Sequence, residues 1–185
     1  MKKIIPLILT VVLMIFCFVS CNDTILCEEM ESDSSFNDSS STEKVPDDFS
    51  FSIVWGMFCT SSYNSETGRL IKTTDATNPD DYVTTHILSD EELKSIYRII
   101  KELNFEIIDE FGPDDFNGSD PHLSLSLTVK TNGLNKTIKV KEAASYNSAN
   151  TPNGKNFLEA VKAIKDILEN TQEWKALPDY EFYYH

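Results

Sequence analysis

Three groups of side chains in this sequence can do chemistry, each of a different kind. The first is the acid-rich run Asp109 to His122 (DEFGPDDFNGSDPH), where Asp109, Glu110, Asp114, Asp115, Asn117 and Asp120 offer the hard oxygen donors that Ca²⁺ takes. The spacing departs from the EF-hand loop, because Pro113 stands five residues before Gly118 where that loop carries Asp. Solvated turn residues are the expectation: no metal, with Asp114, Asp115, Asn117 and Asp120 the candidate ligands if a cation binds. The adjacent carboxylates Asp114 and Asp115 also define the one hydrolase reading, by general acid–base catalysis. The second group is aromatic: Trp174, Tyr180, Phe182, Tyr183 and Tyr184 are types enriched at binding hot spots, or else pack on the core. Together with Tyr63 and Arg69 on a polar hairpin, Trp174 and Tyr180 are the candidate ligand-binding residues. The third group is Cys17, Cys21, Cys27 and Cys59 with His86, His122 and His185. They form no Cys-x-x-Cys pair and no paired-histidine zinc helix, and no phosphate loop or nucleophile elbow occurs. Catalytic residues and cofactors are therefore not expected, and the histidines read as surface residues.

Charge removes a whole class of partners. The chain has 30 acidic against 16 basic residues and a formal charge of −14. Nucleic-acid binding relies on clustered Lys and Arg against phosphate, so it is excluded as an expectation. The same surplus repels anionic lipid headgroups and holds the chain's bulk off a membrane surface.

The first residues, MKKIIPLILTVVLMIFCFVSC, place Lys2 and Lys3 before an uncharged apolar run of 16 residues, Ile4 to Val19. That run is shorter than the roughly 20 residues of a bilayer-spanning helix, and Pro6 interrupts its first turn. The order of charge, apolar run and small residue reads as a secretory signal over 1–20. Phe18-Val19-Ser20-Cys21 resembles the lipobox of bacterial lipoproteins, with Phe18 where such boxes usually carry Leu. The resemblance implies cleavage before Cys21 and diacylglycerol on its sulfur, giving the membrane as a partner through the lipid. Two or three acyl chains make such attachment stable where one is marginal. Of the remaining thiols, Cys27 and Cys59 either pair in an oxidising compartment or stay reduced.

Residues 21–48 continue as an acidic, Ser-rich tether whose only basic residue is Lys44. It has too little apolar surface to offset its ordering entropy, so disorder is expected. The span 49–185 is of a size for one domain with its own core. Phe49 to Trp55 and Leu123 to Lys130 alternate apolar and polar residues as half-buried strands do. Gly68 suits a hairpin turn, Tyr82 to Leu88 reads as a strand, and Asn132-Gly133 joins Leu123–Lys130 to Thr137–Lys141. Ser89 with Glu92 forms a capping box before Leu93, Ile96, Tyr97, Ile100 and Leu103 at helical spacing. Thr151-Pro152 opens a second helix striped by Phe157, Val161, Ile164 and Leu168. Phe105 to Ile108 reads as a short extended segment, and the tail either adds an edge strand or packs across the sheet. The fold class is α+β: a mostly antiparallel sheet of about five to six strands, two helices on one face, in the order β-β-β-α-β-β-α.

The stretches SIVWG, SYNSETGRLIKTTDATNPDDYVTTHILSDEELKSIYRIIKEL and QEWKALPDYEFYY resemble a family of small bacterial lipoproteins. The resemblance implies a secreted α+β lipoprotein domain and brings no known catalytic residue. The leading expectation is a membrane-anchored extracytoplasmic module that binds an envelope protein or small ligand through the sheet face or the hairpin around Tyr63 and Arg69. An envelope hydrolase using acidic residues, or a structural part of an envelope complex, are the alternatives.

Overall fold

The structure, a computed structural model, describes residues 44–57, 60–74 and 81–180. The expected signal over 1–20, Cys21, Cys27, most of the tether, Cys59, His185 and Phe182 to Tyr184 lie outside the described residues.

Strands β1 (Ser50–Trp55), β2 (Ser61–Asn64), β3 (Arg69–Thr73) and β4 (Asp81–Thr85) come first. Helix α1 (Asp90–Glu102), strands β5 (Leu125–Thr131) and β6 (Leu134–Val140), helix α2 (Pro152–Glu169) and the short α3 (Gln172–Lys175) follow. The six strands make one antiparallel sheet in the order β4-β3-β2-β1-β5-β6. The α+β class expected from alternation is the class of the molecule, with one more strand before α1 and a third short helix.

Strand alternation sorts side chains onto two faces. Phe51, Ile53 and Trp55 of β1, Tyr63 of β2, Leu70 of β3, Leu125, Leu127 and Val129 of β5, and Ile138 and Val140 of β6 are buried on one of them. Ile96 and Ile100 of α1 and Phe157, Val161, Ile164 and Leu168 of α2 complete the same core. No helix covers the opposite face among the described residues.

Local chemistry sets the element ends. The Ser89 hydroxyl accepts from the Glu92 amide while the Glu92 carboxylate accepts from the Ser89 amide, so the capping box forms and starts α1. The Thr151 hydroxyl accepts from the Gly154 amide, and Pro152 sits where a missing N–H costs nothing. At the β5–β6 turn Asn132 and Gly133 both take positive φ, 49° and 78°, as a two-residue hairpin requires.

Two local expectations give way. Asn104 is left-handed after α1, and Phe105–Ile107 winds into a 3₁₀ turn rather than extending, which drives Phe105 into the core. The start of the tail is helical too: the Thr171 hydroxyl accepts from the Trp174 amide and caps α3.

Gly68 closes the β2–β3 turn at φ +67°, and a Cβ there would lie 2.8 Å from the His86 carbonyl oxygen and 2.5 Å from Ile87 Cδ1. Gly133 has a similar φ and open space around it. Gly68→Ala is therefore expected to destabilise the protein by about 2–3 kcal/mol, against about 1 kcal/mol for Gly133→Ala. Urea denaturation of both variants measures this, and equal losses would contradict the close approach of β4.

Candidate functional site

The uncovered face of the sheet is the broadest surface to which the fold gives a distinct chemistry. On β1, β5 and β6 it presents Ser50, Ser52 and Val54, then Ser126, Thr128 and Lys130, then Asn135, Thr137 and Lys139. None of these strand positions is acidic, although the chain carries a charge of −14. Lys130 is held by Glu66, 2.7 Å away, whose carboxylate also accepts from Ser50. Lys130 and Ser50 together hold the Glu66 carboxyl below its ordinary range. Arg69, Lys139 and Lys141 have no ion-pair partner among the described residues. Lys139 and Lys141 lie between two shallow depressions. One, of about 230 Å³, is lined by Val54, His122, Ser124, Ser126 and the two lysines. The other, of about 400 Å³, is lined by the lysines with Thr137, Glu110 and Phe111.

A second concavity, about 260 Å³, opens at the far end of the core between the end of α1 and the β5–β6 turn. Phe49, Tyr97 and Phe105 wall it, and Asn104 and Asn132 edge it.

The third cluster flanks the buried face. Trp174 and Tyr180, two of the sequence-derived candidates, do come together, around a residue the sequence reading missed. Lys72 is only 3% exposed, and its Nζ lies 5.1 Å from the centres of both rings. Its nearest carboxylate, Asp179, is 4.0 Å away and fully exposed, so the rings supply most of its compensation. Trp174 packs in turn against Trp55 in a tilted pair, ring centres 5.5 Å apart, and the Trp55 indole N–H donates to Glu169. The available signal was parity, since Lys72 falls on the same side of β3 as Leu70. Long side chains at such positions can snorkel, and here the amine finds aromatic faces.

His86 is a buried residue, not the surface one expected. Its Nδ1 is 3.0 Å from Glu173 Oε2 and its Nε2 3.4 Å from Glu92 Oε1, so it joins β4, α1 and α3. A carboxylate only accepts, so the Nδ1 proton faces Glu173. Burial raises the Glu92 carboxyl, but hydrogen bonds from the Ser89 amide and hydroxyl together with His86 outweigh it, and the net shift is downward.

The other candidates separate. Tyr63 is 1% exposed, and its hydroxyl donates to the His86 carbonyl, so its ring is closed to a ligand. Burial, with the Glu92 charge, pushes its phenol up to about 12. Arg69 is exposed on the uncovered face, away from Trp174 and Tyr180. In the acidic loop both Asp115 oxygens are engaged, one by the Gly112 amide and one by the Thr151 hydroxyl. Asp115 thus ties the loop to the start of α2. The Asn117 backbone bonds to Ser148 and Ala144, and Asp120 precedes a cis proline. Among the described residues no group of three or more His, Cys, Asp or Glu is placed to hold a metal ion. No protein-family model matches the chain, and no curated protein matches it significantly.

Two outcomes follow from the flanking cluster. Trp174→Ala should cost about 3–5 kcal/mol, whereas Lys72→Met, which keeps the length and removes the charge, should be near neutral or stabilising. A Lys72→Met loss as large as the Trp174→Ala loss in urea denaturation would contradict an aromatic cage around a costly charge. Glu92 has a lowered folded-state value, so its stabilisation is complete above its ordinary value of 4.5 and is lost as pH falls through the folded one. Glu92→Gln should narrow the stability difference between pH 7 and pH 3.5, and an unchanged difference would remove Glu92 from the account.

Proposed function

We propose that this protein is a lipid-anchored, extracytoplasmic binding module of the cell envelope, non-enzymatic, which meets an envelope partner or ligand through the uncovered face of its sheet. The observation that carries the reading is the one-sidedness of the fold: α1 and α2 share a single core on one face of the sheet. The other face keeps Arg69, Lys139 and Lys141 without ion-pair partners among the described residues. An antiparallel sheet commonly leaves one face solvated, and here that face combines hydroxyls with cations in a chain otherwise surplus in acid, which gives it a chemistry a partner can recognise. The support for export and for the anchor is the sequence: Lys2-Lys3, the apolar run and Ser20-Cys21. Among the described residues no helix is long and apolar enough to cross a membrane. Asp114 and Asp115 lend the hydrolase alternative little support, because Asp115 spends both oxygens on structure.

Cys21→Ala should move the protein from the membrane fraction into the extracytoplasmic soluble fraction. A variant that partitions with membranes as fully as the parent, or a cytosolic parent, would contradict the anchor. A photo-crosslinker at Ser126 should join an envelope component in intact cells, while one at Glu159 on α2 should not. The reverse pattern would move the interface to the helices.

A further inference from the structure

We infer that the uncovered face is a docking surface for a linear phosphodiester-linked polyol, a chain in which short polyhydroxyl units alternate with phosphates. The inference rests on the binding-module reading and names the ligand class for its site.

Charge complementarity chooses the sign. Lys139 and Lys141 have no ion-pair partner among the described residues, and Glu110 is the one acid lining the two depressions they separate. The chain as a whole repels anions, so two unpaired lysines sharing one surface supply a local attraction that the net charge does not.

Shared lining chooses a polymer over a lone anion. Lys139 and Lys141 both line both depressions, so their ammonium groups serve adjoining stretches of one surface. A chain that carries successive phosphates can meet both at once. The depressions adjoin on either side of these lysines, which gives a chain a continuous path around the β6 edge of the sheet.

Hydroxyls choose the polyol. Ser126 pairs with Lys139 across β5 and β6, and Ser124 lines the same depression, so donors and cations alternate along the path. Thr128 and Thr137 share an exposed hydroxyl–hydroxyl hydrogen bond of 2.8 Å. Ring sugars are commonly held by stacking on aromatic side chains; of the rings lining the two depressions, Phe111 is already packed against Phe116 and Phe157, and His122 is the other. A flexible polyol phosphate needs no such platform.

The test uses the signal-free full chain with Cys21→Ala, a synthetic poly(glycerol phosphate) oligomer, neutral dextran and duplex DNA, read by calorimetry. Binding is expected to the oligomer alone, with a log–log salt slope near −2 for two or three phosphate contacts. Lys139→Glu/Lys141→Glu should weaken it about tenfold or more, while the charge-matched Lys155→Glu/Lys162→Glu on α2 should leave it within about twofold. Both double variants must keep the parent's melting temperature to within a few degrees, which separates lost binding from lost folding; if the first does not, Lys139→Gln/Lys141→Gln replaces it. No binding of the oligomer, equal loss in both double variants, or DNA binding as tight as the oligomer would each overturn the inference. Failure here with the Ser126 crosslink intact would leave the binding-module reading standing and replace only its ligand.

Discussion

The two sides of the six-stranded sheet face different surroundings, and that difference governs the rest of the molecule. Because side chains alternate along a strand, every residue that feeds the core forces its neighbour outward. Leu125, Leu127 and Val129 buried against α1 and α2 leave Ser126, Thr128 and Lys130 no choice of face. The apolar area removed from water on the helix side dominates folding, at about 25 cal/mol per Å². It also fixes the register, since a one-residue slip would exchange the faces. The chemistry of the open face is thereby set by packing on the other.

This asymmetry was legible in the sequence wherever alternation and capping spoke alone. β1, β5, the Asn132-Gly133 turn and the starts of α1 and α2 follow from short-range rules, because their determinants lie within four or five residues. The flanking cluster was not legible. Lys72 owes its burial to Trp174 and Tyr180, roughly a hundred residues away in sequence, and His86 to Glu173 in a helix that strand-like tail alternation concealed. Phe105–Ile107 misled for a related reason: burial of Phe105 after the left-handed Asn104 outweighs any weak extended preference of so short a piece. Lys139 and Lys141 were visible as polar alternation with Ile138 and Val140, but their lack of partners needed coordinates.

The flanking cluster also explains how so short a helix as α3 stays in place. Four residues cannot hold helical form on propensity alone. Trp174 packed on Trp55, the Thr171 cap and the Glu173–His86 contact fix it from three directions. Its neighbour Tyr180 lies over the same lysine and shares a polar contact with Ser61 of β2, which binds this stretch to the sheet's flank rather than across its open face. Among the described residues that arrangement leaves the open face clear.

The central claim, that one face of the sheet is sealed by helices and the other receives an anionic chain, is tested most directly by residue-resolved lysine acetylation of the folded protein. Labelling is read by mass spectrometry with and without the glycerol phosphate oligomer. The account predicts rapid labelling of Lys139 and Lys141 in the free protein and strong protection of both by the oligomer, with Lys155 and Lys162 on α2 unchanged. Protection of the α2 lysines instead, or none at Lys139 and Lys141, would contradict it.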